Sequence, residues 1–191
     1  MKNIVVLVSG GGTNLQALID AQNRGEIKNG KITCVISSNP NAYALERAKN
    51  NGIDTSVIKR KDYDAFEDYD IALTNLIKSK NADLVVLAGF MTILGKTVIK
   101  SFENRIINIH PSLIPSFCGE GFYGLHVHES ALARGVKVTG ATAHFVNQVC
   151  DGGPIIIQKA VEIKNGDTPE ILQKRVMEQA EWIIMPKAID L

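Results

Sequence analysis

The chain has 191 residues, 45% of them apolar and 21% charged, and 21 basic against 20 acidic side chains leave a net charge of +1. That length and balance suit one globular domain with one sizeable core and give no field that would draw nucleic acid or an anionic membrane. Cys34, Cys118 and Cys150 are scattered, with no Cys-x-x-Cys pair, which fits reduced thiols in a cytoplasm rather than a disulfide framework. Four histidines without cysteine partners or His-Glu-x-x-His spacing predict no metal site.

Short apolar runs alternate with longer helical patterns along the chain, as in a parallel sheet covered by helices. Residues 4–8 form an apolar run too short for a signal-peptide core or a membrane span, and read as a buried first strand. A helix follows over 13–24, with Leu15, Leu18 and Ile19 at helical spacing. Residues 32–37 predict a second strand, 42–50 a helix closed by Gly52, and 55–58 a short third strand. Residues 62–80 predict one long helix with Phe66, Tyr69, Leu73, Leu76 and Ile77 on a stripe. The continuous run 84–87 predicts a mid-sheet strand covered on both faces. Residues 106–110 form the next strand, stopped by Pro111. A loop rich in Gly, Pro and aromatics precedes a helix over 127–134, then strands over 140–146 and 155–161 and a terminal helix over 168–189. No linker, repeat or low-complexity tract interrupts the chain. The expectation is a single-domain α/β fold over 1–191, with a mostly parallel twisted sheet flanked by helices in a Rossmann-like arrangement.

Three stretches bear on chemistry. Ser9-Gly10-Gly11-Gly12-Thr13-Asn14 lies where the first strand feeds the first helix, where glycines allow close backbone approach and a helix N-terminus favours a phosphate. Leu15 stands where a dinucleotide fingerprint needs its third glycine, and Ser37-Ser38-Asn39 stands where that fingerprint needs a ribose-binding acid, so a dehydrogenase is disfavoured. No Gly-Lys-Ser/Thr triplet marks a nucleotide P-loop. Thr13 and Asn14 suit a phosphate monoester, and a plain turn with Thr13 as the helix cap is the competing reading. In Asn108-Ile109-His110-Pro111-Ser112, the strand period sends Asn108 and His110 to one face at the carboxyl edge of the strand. Both side chains can hydrogen-bond an oxygen that turns negative during acyl transfer. Asp151-Gly152-Gly153-Pro154, between the last two strands, offers a carboxylate to orient His110 and raise its pKa, although on spacing alone an ordinary turn is the stronger reading of this motif.

Several side chains read as bystanders. Cys150 adjoins Asp151, but a nucleophilic thiol needs a neighbouring base and a lowered pKa. His144 sits in a strand pattern and reads as structural, His126 and His128 read as loop polar groups, and Lys59-Arg60-Lys61 reads as a solvated turn.

Four segments in order, Val-Leu-Val-Ser-Gly-Gly-Gly-Thr-Asn-Leu-Gln-Ala-Leu-Ile-Asp, Val-Val-Leu-Ala-Gly-Phe-Met-Thr-Ile-Leu, Ile-Asn-Ile-His-Pro-Ser-Leu-Ile-Pro and His-Phe-Val-x4-Asp-Gly-Gly-Pro-Ile-Ile, resemble the phosphoribosylglycinamide formyltransferases of purine biosynthesis. The resemblance covers nearly the whole chain. The Asn-x-His-Pro-Ser and Asp-Gly-Gly-Pro elements belong to the wider folate-dependent formyltransferase superfamily, and the glycine loop to the ribonucleotide-using branch. The resemblance implies formyl transfer from 10-formyltetrahydrofolate to the amine of phosphoribosylglycinamide, with no metal, in a cytoplasmic monomer or homodimer. It implies that Asn108, His110 and Asp151 are catalytic and that Gly12, Thr13 and Asn14 hold the acceptor phosphate. Met91, Thr92, Ile93 and Leu94 would line the folate site, closed by Asn147, Gln148, Val149, Cys150 and Asp151, with Asn108 also in contact. Glu181 matches an acceptor-binding acid after a one-residue shift.

The chain departs from the family pattern at Thr92, which replaces a residue basic in some relatives. It also has a longer loop at 116–124 and no matching Arg near Phe66. Relatives that formylate methionyl-tRNA or an amino sugar, and the hydrolase that releases formate, usually carry a further domain that this sequence is not expected to have. A non-catalytic sensor on the same fold would not need the Asn108, His110 and Asp151 trio.

Overall fold

Lys2–Val8 forms β1, and its side chains alternate between two cores: Ile4, Val6 and Val8 enter the larger cluster, Val5 and Leu7 the smaller. The computed structural model describes residues 1–191. Seven strands make one sheet in the order β3-β2-β1-β4-β5-β6-β7. Its members are β2 (Gly30–Ser37), β3 (Asp54–Val57), β4 (Leu84–Leu87), β5 (Ile106–His110), β6 (Val138–Phe145) and β7 (Ile155–Glu162). The first five strands are mutually parallel; β6 runs antiparallel to β5, and β7 to β6. Strand order reverses at β1 and β4, so the loops leaving these two strands flank the crevice where open α/β sheets place their ligands.

Helices cover both faces. The larger core lies under α1 (Thr13–Asn23), α2 (Tyr43–Asn50), α6 (Pro169–Val176) and α7 (Trp182–Asp190), which contribute Leu18, Leu45, Leu172 and Ile184. On the other face α3 (Phe66–Ser79) and α4 (Lys96–Ser101) bury Tyr69, Leu73, Ile77 and Val98 against Val85, Leu87 and Ile106. Each fully buried aliphatic side chain contributes about 1.5–3 kcal/mol, so the two-sided strands anchor the fold. No helix is long and apolar enough to cross a membrane.

The strands lie where the sequence predicts them, within a few residues. Three helical segments differ. The helix expected from residue 62 begins at Phe66, because Arg60–Asp62 is a 3₁₀ turn held by Arg60 Nη1 donating to the Tyr63 carbonyl and by a 3.0 Å Lys59–Asp62 ion pair. α4 was not expected. It has six residues, and its first amides are capped by Asp70 of α3, which accepts from Thr97 N at 2.7 Å and Val98 N at 3.3 Å. The terminal helix is continuous but contains a π turn at Met177–Glu181. His126 and His128, read as polar groups at a helix entry, lie in the first turn of α5 (Leu125–Arg134).

Candidate active site

β5 leaves the smaller core with Ile106, then presents Asn108 and His110 on the same face, while Ile107 and Ile109 pack into the larger core. The loop after β6 carries a third side chain to this face. It starts beside Ile106, to whose carbonyl Val146 N donates, and returns across the sheet to Asp151. Gly153 permits the return, since a Cβ there would lie 1.8 Å from the Phe145 carbonyl oxygen. Asp151 itself has φ of +52°. Its Oδ2 stands 3.5 Å from His110 Nδ1 and accepts from Gly119 N at 2.9 Å, and its Oδ1 stands 3.6 Å from His144 Nε2.

His144 is a correction to the sequence reading. The antiparallel register of β5 and β6 sets it opposite Asn108, buried, with its ring in the cluster. Its Nδ1 donates to the Phe145 carbonyl at 2.9 Å, so Nε2 is the acceptor for Asn108 Nδ2 at 3.2 Å. That bond fixes the Asn108 amide and leaves its second N–H free.

The electrostatics also differ from expectation. Asp151 does favour the protonated His110 ring, as does the Phe117 carbonyl 2.8 Å from Nε2, but burial outweighs both and holds the His110 pKa below its ordinary 6.5. The distances agree. Nε2 carries the proton toward Phe117, and 3.5 Å to the carboxylate is longer than a charge-assisted N–H···O bond of about 2.7–2.9 Å. Burial pushes Asp151 upward, but the neighbouring His144 ring, the hydrogen bond from Gly119 N and the neighbouring His110 ring prevail, so it stays below the usual carboxylate range. His128 is fully buried with both ring nitrogens unpartnered, and burial followed by the nearby His110 lowers it to about 4.

The glycine loop lies at the head of β1. Its carbonyls are turned away: Gly10 O accepts from Ala44 N, Gly11 O from Arg47 Nε, and Gly12 O from Gln16 N. Gly12 takes φ of +75°, no side chain caps α1, and no acid lies in its first turn. Thr13 is therefore not the cap; its hydroxyl lies 3.8 Å from the Met177 sulfur. Open space surrounds Gly10 and Gly11. Asn14 Nδ2 donates to Glu181 Oε2 at 2.7 Å, so Glu181 does stand beside the loop. Glu181 closes the π turn Met177–Glu181. Glu181 is buried, and burial raises its pKa to about 7 against the Asn14 hydrogen bond.

Exposed apolar side chains cluster on two loops. Met91 and Ile93 after β4 and Val149 after β6 are 60%, 78% and 65% exposed, whereas Leu94 turns inward to the smaller core. Asn147, Gln148 and Cys150 are also exposed. Ser9 Oγ ties the first two loops together by accepting from Met91 N at 2.8 Å. Beside them, Lys59, Arg60, Lys61, Asn39, Asn41 and Thr92 line an open cleft of about 310 Å³. Arg60 lies 5.8 Å over the Phe66 ring. Burial and Asp151 both push the Cys150 thiol up, the opposite of an activated nucleophile. No group of three His, Cys, Asp or Glu side chains is arranged to hold a metal ion.

A family profile described as formyl transferase matches residues 2–189. The phosphoribosylglycinamide formyltransferase of Escherichia coli K12 is 42% identical over 187 residues, covering 98% of this chain and 85% of that protein. The trifunctional purine biosynthetic protein adenosine-3 of Gallus gallus is 42% identical over 188 residues, but the chain spans only 18% of its length. Among solved structures, glycinamide ribonucleotide transformylase 1 from Symbiobacterium toebii aligns with a TM-score of 0.93 at 43% identity, covering 100% of this chain and 87% of that one. Phosphoribosylglycinamide formyltransferase from Bacillus halodurans aligns at 0.91 and 38% identity, covering 99% and 94%. From β1 to α7, the chain belongs to the formyl transferase family.

Proposed function

We propose that the protein transfers a formyl group from 10-formyltetrahydrofolate to the amine of phosphoribosylglycinamide, a step of purine biosynthesis, as a cytoplasmic enzyme. The observation that carries this reading is the convergence of Asn108, His110 and Asp151 on one sheet face. The uncapped, carbonyl-free mouth of α1 suits the acceptor's phosphate at Gly12, Thr13 and Asn14, and buried Glu181 suits a hydroxyl of the same acceptor. Met91, Ile93 and Val149 offer exposed apolar surface to a flat pterin, with Thr92, Asn147, Gln148 and Cys150 at its rim. The cations at Lys59, Arg60 and Lys61 suit the donor's carboxylate tail.

In this reading the acceptor amine attacks the formyl carbon, and the carbonyl electron pair moves onto oxygen. The free Asn108 N–H and the His110 Nε2–H both donate to that oxygen. His110 must first exchange the Phe117 carbonyl for it, so the loop 116–124 withdraws when the donor binds. Ionised Asp151 favours the protonated ring, the form in which His110 presents a positive charge to that oxygen. Collapse returns the electron pair to the C–O bond and breaks the bond to the donor nitrogen, which takes up the proton lost by the amine. Juxtaposing both substrates supplies the other large part of the rate.

The test is incubation with formyltetrahydrofolate and, separately, several amine acceptors. Loss of the formyl group only with phosphoribosylglycinamide supports the reading; formate release without any acceptor supports a hydrolase instead.

A further inference from the structure

Cys118 and Cys150 come from loops 32 positions apart, yet they flank one carboxylate. Gly119 N and Cys150 Sγ both approach Asp151 Oδ2, at 2.9 and 3.9 Å, so their separation cannot exceed the sum of those two distances. Cys118 directly precedes Gly119, and its Sγ donates to the Pro115 carbonyl at 3.4 Å, a weak bond that it leaves to turn toward Cys150. Cys150 is exposed, Cys118 is half-buried, and neither is in a disulfide. Formyl transfer through Asn108 and His110 uses neither sulfur.

We propose that Cys118 and Cys150 are a redox modification site, forming a reversible disulfide that pins the loop 116–124 over His110. The bond forms by exchange with a small-molecule disulfide such as oxidised glutathione. Exposed Cys150, as thiolate, attacks one sulfur of that disulfide and releases one thiolate, leaving a mixed disulfide. Cys118, as thiolate, then attacks the Cys150 sulfur and releases the second. Two protein thiols are oxidised by two electrons, the reagent is reduced to two thiols, and the two protons pass to the departing sulfurs.

A protein disulfide needs Cα atoms about 4.4–6.8 Å apart. Gly119 and Gly121, at φ of +93° and +85° with open space around them, give the loop room to adjust. Asp151 and burial hold both thiols protonated, so exchange proceeds over minutes to hours. Because Phe117 precedes Cys118, the cross-link keeps the Phe117 carbonyl on His110 Nε2, the position the formyl oxygen needs. This consequence for turnover rests on the formyl-transfer reading; the cross-link itself does not.

The experiment incubates the full chain for hours with excess oxidised glutathione, then blocks free thiols and maps disulfides by mass spectrometry without reduction. The expected product carries two blocking groups fewer than the reduced protein and yields a peptide linking Cys118 to Cys150. Amide exchange over 116–124 slows at least ~10-fold by the loss of local opening, and dithiothreitol reverses both changes. Cys118→Ser keeps the turnover of the reduced protein but accumulates only the glutathione adduct on Cys150. A wild-type protein that stops at that adduct, or a cross-linked one whose loop exchanges as before, overturns the proposal. If the linked, protected protein forms but its reduced state transfers no formyl group to any acceptor, the formyl-transfer reading fails and the redox site stands.

Discussion

Glu181→Gln should stabilise the protein, increasingly so as pH rises. Glu181 is 5% exposed, with an ordinary pKa of 4.5 that burial raises to about 7 in the folded chain. Between these values the folded state binds more protons than the unfolded one, so stability falls as pH increases through the interval and levels off above pH 7. The difference corresponds to about 3 kcal/mol at alkaline pH. Glutamine cannot ionise and keeps an oxygen for Asn14 Nδ2. Its new amide N–H can also reach Asn14 Oδ1, which is buried without a partner, for about 1 kcal/mol more. The variant should therefore exceed wild type by about 3–4 kcal/mol at pH 8.5, a rise in Tm of roughly 10 °C for a chain of this size. The gap should shrink to about 1 kcal/mol near pH 4.5. Urea or thermal unfolding of both proteins between pH 4.5 and 8.5 reads the difference directly. A gap independent of pH, or a variant weaker at pH 8.5, would refute the argument that this carboxyl is buried at a cost.

Other perturbations follow from the same geometry. Asn108→Ala should lower turnover ~100-fold or more with unchanged unfolding, the usual loss for one oxyanion donor; near-normal steady-state rates would remove Asn108 from the mechanism. Asp151→Asn should move the His110 titration, followed by NMR, further below 6.5, because the carboxylate is the main influence opposing burial; an upward move contradicts the assignment. Gly12→Ala would place a Cβ 2.6 Å from Ala44 Cβ at φ of +75° and should destabilise by about 2–4 kcal/mol. Gly10→Ala, with nothing within 4 Å of its Cβ, should leave unfolding nearly unchanged in the same denaturation series.

The strands, and the shared direction of two site side chains, were legible in the residue pattern alone. Runs such as Val85-Val86-Leu87 are apolar because both faces of β4 are covered, and the two-residue period of a strand fixes Asn108 and His110 on one face wherever β5 sits. What depends on partners distant in sequence was decided by the tertiary structure. α4 has no local N-terminal signal because its cap, Asp70, comes from α3. His144 enters the site only through the β5–β6 register, and Asp151 only because its loop crosses back over the sheet. Even the sign of the His110 shift belongs to the fold: a neighbouring carboxylate alone would raise that pKa, and burial, which no spacing of residues encodes, reverses it.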